Sequence, residues 1–172
     1  MVDVELVSEI RRKAHAYDRH SGCSQAVLLA LQEGLGIGDA ESFRSATVLS
    51  GGIARRGETC GALLGSLMAL GLMAGREQME DRPSYVRATG IGGEICDGFQ
   101  EKLREEFGFE EPLASTLCRE IQKKVYGRPF SLREREDYEA FLEAGGHSDE
   151  GCYKGCGIAA EVAAERLLEL RG

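Results

Sequence analysis

Residues 51–75 read GGIARRGETCGALLGSLMALGLMAG: a glycine-rich loop, a turn at Gly57-Glu58, then Thr59 to Ala74 without one charge. That run falls short of the roughly 18 to 20 apolar residues a membrane span needs. It predicts a buried apolar helix, about residues 58–75, at the centre of the fold. One stripe of it carries Cys60, Leu64, Leu67, Gly71 and Ala74. A second stripe, Gly61, Gly65 and Ala69, is small enough to let a neighbouring helix come close. The loop ahead of it lacks the Lys-Ser/Thr of a phosphate-binding loop, so Arg55 and Arg56 read as solvated or interhelical side chains. The turn itself, Gly57, Cys60 and Gly61, reads as a place where a cofactor can touch the chain.

Outward from that helix, apolar residues recur at helical spacing. Towards the N-terminus, Leu6, Ile10, Ala14 and Tyr17 share a face. A helix follows from Cys23 and ends at Gly34 and Gly36, and Asp39 suits the N-cap of a short helix. Towards the C-terminus, Pro83 suits a first helical turn, and Gly90, Gly92 and Gly93 predict a kink or break. Cys96, Phe99, Leu103 and Phe107 continue a helix that Gly108 closes. Ser115 is the expected cap of a helix bearing Leu117, Cys118, Ile121 and Val125. Ser131 and Glu134 read as a capping box ahead of Tyr138, Phe141 and Leu142. Ser148 is the expected start of a last helix, in which Cys152, Cys156, Ala159, Ala163 and Leu167 fall in step. No stretch alternates with period two. The expectation is a single all-α domain over residues 1–172, a multi-helix bundle around the apolar helix.

The chain has 172 residues, 42% hydrophobic and 29% charged, with a net charge of -8. That balance argues against nucleic acid, which is bound through clustered Lys and Arg. The opening MVDVELVSEIRRKAHAY lacks the basic and apolar regions of a signal peptide. With no membrane-length run, this points to a soluble protein of the cytoplasm. Six cysteines in that compartment read as ligands or redox groups before they read as a disulfide framework.

A single cysteine on an apolar helix face is ordinarily a small core residue. Position argues for more here, because Cys23, Cys60, Cys118 and Cys152 or Cys156 all fall at or near predicted helix starts. Unpaired N–H groups and the helix dipole there favour a thiolate and lower its pKa. Cys96 lies inside its helix and reads as packing. Cys152 and Cys156 are four apart, which in a helix puts their Cβ atoms about 5–6 Å from each other. A disulfide needs about 3.8 Å, whereas two ligands of one metal tolerate the helical distance. Gly151, Gly155 and Gly157 leave the backbone free to bend, so both options stand. There is no CxxC and no HExxH motif. The three histidines read as surface residues, His20 and His147 standing near Cys23 and Cys152 in sequence.

Four pieces of the chain together resemble a family of redox-active proteins named for a C–GCAxxG–C–C pattern and related to part of the split-Soret cytochromes. They are CSQAVLLAL at 23–31, GGIARRGETCGALLGSLMALGL at 51–72, LCREI at 117–121, and the helix bearing Cys152 and Cys156. The name-giving motif is not verbatim: Thr59-Cys60-Gly61-Ala62 is followed by Gly65, which offsets Cys60 by one residue. The resemblance implies an all-helical domain with four recurring cysteines, Cys23, Cys60, Cys118 and one of Cys152 or Cys156. It also implies a redox role, with an iron–sulfur cluster as an occupant. The chain has no CxxCH, so covalent haem is not expected.

The expectation is therefore a cytoplasmic redox protein in which Cys60, Cys118, Cys152 and Cys156 hold a metal centre, with Cys23 the alternative fourth ligand. That centre is an iron–sulfur cluster or another thiolate-bound metal, passing electrons to a partner the sequence does not name. Two other readings stay open. One is metal-free thiol–disulfide chemistry on Cys23, Cys60, Cys118 and Cys156. The other is a binding or assembly protein whose cysteines only pack, with a homodimer permitted by the small-residue stripe.

Overall fold

The structure is a computed structural model that describes residues 2–172. Eight α-helices form among the described residues, with no strand. Helix α1 (Val4–Tyr17) is capped by Asp3, whose carboxylate accepts from the Leu6 N–H at 3.1 Å, and it buries Val7, Ile10 and Ala14. A 3-10 turn, Asp18–His20, leads into α2 (Cys23–Leu35). Asp39 and Ser42 form the capping box of α3 (Ala40–Ser45). Helix α4 (Gly61–Ala74) is the apolar helix, and α5 (Arg82–Phe107) is capped by Asp81 with Pro83 in its first turn. Then come α6 (Cys118–Tyr126), α7 (Arg135–Glu143) and α8 (Cys152–Glu169).

The small-residue stripe of α4 closes onto α2. A Cβ on Gly65 would lie 2.4 Å from the Ser24 carbonyl oxygen, so only glycine lets the two backbones meet there. Helix α4 is not alone at the centre, because its last turn is exposed at Gly71 and Leu72. Helix α8 packs on α1, α2, α4 and α5. It buries Gly157, Ile158, Ala159, Ala160, Ala163, Ala164 and Leu167, and its small residues let neighbouring helices pack closely on it. The Ser66 hydroxyl of α4 donates to the Ala159 carbonyl at 2.9 Å, satisfying a buried polar group across that contact. At the rim, Arg11 of α1 pairs with Glu106 of α5 at 2.6 Å and with Glu161 of α8. None of the helices is long and apolar enough to cross a membrane, among the described residues.

Several sequence expectations need correction. Helix α5 runs unbroken through Gly90, Gly92 and Gly93. Its buried face, Ile91, Ile95, Phe99 and Leu103, continues straight through the weak segment, and burying such side chains is worth about 1.5–3 kcal/mol each. That outweighs about 1 kcal/mol per glycine of propensity. Ser115 does not cap α6, whose N-cap is Leu117. Ser131 and Glu134 form no capping box, since Glu134 is itself the N-cap of α7 and the Ser131 N–H is taken by the Asp137 carboxylate. Helix α8 begins at Cys152, not Ser148.

Two clusters of apolar side chains result. The large one joins α1, α2, α4, α5 and α8, and the small one gathers Phe130, Leu132 and Phe141 with Tyr126, Tyr138 and Cys152. Cys156 belongs to the first cluster and Cys152 packs on the second. The seam between the clusters is where the cysteines meet.

Candidate functional site

Two helix starts are clamped together by a single antiparallel bridge, Thr59 to Leu117. The Cys60 N–H donates to the Thr116 carbonyl at 2.9 Å and the Cys118 N–H to the Glu58 carbonyl at 2.7 Å. Side chains alternate across an extended pair, so Cys60 and Cys118, each one residue past the bridged pair, emerge on the same side. Gly52 makes room for this: a Cβ there would lie 2.5 Å from the Glu58 oxygen and 2.8 Å from the Cys118 Cβ. Cys23 opens α2, and its sulfur occupies the space a side chain on Gly61 would fill, 2.5 Å from where that Cβ would stand. Cys152 and Cys156 sit one turn apart on an intact α8, and all six cysteines are free thiols. The helix stays helical at its glycines, which removes the bent, disulfide-linked alternative.

Cys23, Cys60, Cys118, Cys152 and Cys156 all line one cavity of about 460 Å³. Cys96 does not line it. Phe99, Leu103 and Phe141 supply apolar wall. The Tyr126 hydroxyl lies 3.6 Å from the Cys152 sulfur and 3.2 Å from the Gly146 carbonyl. Buried Gln122 donates from its amide nitrogen to the Cys118 sulfur at 3.7 Å, while its oxygen accepts from the Phe130 N–H at 2.8 Å.

The expectation that helix starts lower these pKa values is overturned. Burial pushes the Cys60 thiol up even though the N–H groups of Leu63 and Ala62 act on its sulfur in the other direction. Burial, then the charge of neighbouring thiols, holds Cys23 and Cys118 well above the ordinary thiol value. Cys156 is raised likewise by burial and then by Asp18, and Cys152 is pushed up to about 12. Desolvation of a sulfur anion here exceeds what a helix terminus returns. At neutral pH these are five neutral thiols.

Sequence reasoning missed Gln122 and Tyr126, and it missed Asp18. Asp18 is fully buried on the cavity wall, and neither of its carboxylate oxygens has a hydrogen-bond partner. Burial raises it to about 7, and the Cys156 thiol offsets this only in part. No lysine or arginine pairs with it. Its only sequence signal is its place five residues ahead of Cys23, in a polar stretch that reads as surface.

Of the expected cofactor contacts, Cys60 faces the cavity but Gly57 and Gly61 are not part of its wall. Gly57 takes a left-handed turn (φ 72°) whose carbonyl accepts from the Arg119 N–H at 3.1 Å. Gly61 serves by leaving space for Cys23. His147, expected on the surface, is half-buried on the cavity wall with its pKa lowered by burial and then by Arg55. Beside it, residues 51–55 form a turn with five consecutive positive φ values, 64°, 68°, 59°, 51° and 61°. Ile53, Ala54 and Arg55 have no licence of glycine there, at about 1–2 kcal/mol each.

No three His, Cys, Asp or Glu side chains among the described residues converge tightly enough to hold a single metal ion. The thiols are spread around a cavity rather than gathered at a point. Five sulfur donors and an orphaned carboxylate nonetheless fit a cationic group of several atoms, which would repay the burial of each anion it contacts. No curated protein and no solved structure matches the chain. The model of the family C_GCAxxG_C_C, described as "Putative redox-active protein", matches residues 21–166, which include all five cavity cysteines, and the chain belongs to that family.

Proposed function

We propose that the cavity thiols hold a multi-atom metal centre, an iron–sulfur cluster, and that the protein is a cytoplasmic electron carrier serving a separate redox partner. One observation carries this reading: five thiols and an unpaired buried carboxylate face the same cavity. Cysteines that merely pack would be enclosed by side chains instead of lining a cavity. Thiol–disulfide exchange without metal is disfavoured by the raised pKa values, since the attacking species is a thiolate.

A thiolate-held iron–sulfur cluster exchanges electrons at a potential set by its hydrogen bonds and exposure. The chain's own residues prepare the place for it. Cys60 and Cys118 are presented side by side by the Thr59–Leu117 bridge. Cys152 and Cys156 are presented by one turn of α8, with Cys23 the fifth donor. Each thiol gives up its proton on binding metal. Asp18, whose carboxyl is raised to about 7 and which lines the same cavity as Cys156, is a group there able to take up such a proton. Gln122 and Tyr126 orient the Cys118 and Cys152 sulfurs and favour their anionic forms. Phe99, Leu103 and Phe141 keep water from the wall.

The test is iron and acid-labile sulfide per chain in protein purified without oxygen, beside Cys60→Ala, Cys118→Ala and Cys96→Ala. Wild type and Cys96→Ala should carry equal amounts, and the two cavity variants much less. Equal loss in Cys96→Ala, or a wild type empty after reconstitution, overturns the proposal.

A further inference from the structure

The cavity runs from the buried thiols out to solvent. Its inner wall is buried Asp18, Cys156, Phe99 and Leu103, while Thr47, Val48, Ala54 and Arg55 on its wall are exposed and mark its mouth. The charge of this protein is -8, yet the one carboxylate lining the cavity is Asp18, at the inner wall, and the cation at the mouth is Arg55. Arg55 makes no ion pair among the described residues. Its guanidinium instead lies 5.2 Å over the Tyr138 ring.

Backbone strain concentrates at the same place. The non-glycine residues with left-handed backbone, among the described residues, are Ser21, Ile53, Ala54 and Arg55. Ser21, Ala54 and Arg55 line the cavity, and Ile53 is their neighbour in the chain. Strain of this kind persists where the surrounding fold enforces it, and it clusters at ligand sites. Here it has a geometric result: the left-handed turn, closed by the Ala54 N–H on the Val48 carbonyl at 2.7 Å, carries Arg55 to the mouth beside Tyr138 and His147. A volume of about 460 Å³ with mostly apolar walls and few polar groups is that of a small-molecule pocket.

We infer that the mouth binds a small organic anion with an aromatic body, its acidic group on the Arg55 guanidinium and its ring among Tyr138, His147, Phe141 and Leu132. This names the class of molecule the cavity receives, and rests on the metal-centre reading only for what the thiol end then does with it. The phosphate-loop chemistry that the GGIARRG stretch lacks is not required, because one guanidinium meets the anion instead of a nest of amides.

The probe is anilinonaphthalene sulfonate, whose fluorescence reports entry into an apolar pocket, titrated into the full chain purified without oxygen. Naphthoate, naphthyl phosphate and uncharged naphthalenemethanol serve as competitors. Naphthoate and naphthyl phosphate should displace the probe about tenfold more effectively than the alcohol, a discrimination worth about 1.4 kcal/mol. Arg55→Gln should weaken the probe itself and abolish that preference, with the alcohol's inhibition constant unchanged once the probe's own affinity is measured, and Arg55→Lys should restore part of it. If only one anion competes, the site takes that acid and the inference stands. Anions that compete no better than the alcohol, or an Arg55→Gln protein that still prefers them, overturn it. Metal content is measured on the same samples. Anion preference in protein that stays metal-free after reconstitution with iron and sulfide sinks the cluster and keeps this site, whereas a loaded protein without the preference does the reverse.

Discussion

Asp18 gives the sharpest physical test of the site. Its carboxyl is raised from 3.8 to about 7 because folding buries it without a partner. At about 1.4 kcal/mol for each pKa unit, the ionised folded form is disfavoured by about 4 kcal/mol. The sign follows from proton counts. Between the unfolded value, about 3.9, and the folded value, the native state keeps a proton that the unfolded chain releases. The Asp18 contribution to stability therefore falls as pH rises through that window and is constant on either side. Asp18→Asn cannot ionise and lacks this loss. In metal-free, reduced protein, urea unfolding from about pH 4 to about pH 8 should show the variant gaining on wild type by up to about 4 kcal/mol, nearly all of it below about pH 7. In metal-loaded protein the gain should shrink or reverse, since a cation repays the buried carboxylate. Parallel stability curves in the metal-free proteins would refute the reasoning.

Gly65→Ala should cost about 1–3 kcal/mol in the same urea assay by forcing α4 off the Ser24 carbonyl; an unchanged midpoint would mean α2 and α4 do not meet there. Gln122→Leu strands the Phe130 N–H and should cost about 1–3 kcal/mol, while Gln122→Glu, assayed at about pH 5 so that its buried carboxyl stays protonated, keeps that acceptor and costs less. Equal stabilities of the two variants would contradict the assigned roles. Iodoacetamide labelling of metal-free native protein at neutral pH should be much slower at all five cavity thiols than in the unfolded chain, because burial holds them protonated. Fast labelling of Cys60 would restore the exchange reading.

The helices were legible because their apolar residues recur at helical steps, and Asp39, Pro83 and Gly108 mark ends where the structure has them. Convergence of the cysteines was legible from their common place at helix starts. The sign of their pKa shift was not, because a helix terminus is visible in sequence and the depth of burial around it is not. Gly90, Gly92 and Gly93 misled for a related reason: propensity is local, and the packing that overrides it in α5 comes from α4 and α8. Thr59 and Leu117 form too short an extended contact to leave a period-two pattern. Asp18 lies just ahead of the family match, among polar neighbours, and only the tertiary fold buries it. The doubled glycine at 51–52 announces a turn, but nothing in Ile53-Ala54-Arg55 announces a left-handed one, since β-branched residues avoid that region.

The central claim is that the five thiols surround a metal centre. The visible absorption spectrum of protein purified without oxygen tests it most directly. A cluster predicts broad sulfur-to-iron charge-transfer absorption that bleaches on reduction with dithionite, with iron and acid-labile sulfide present together. A colourless protein that stays colourless after reconstitution with iron and sulfide would contradict it.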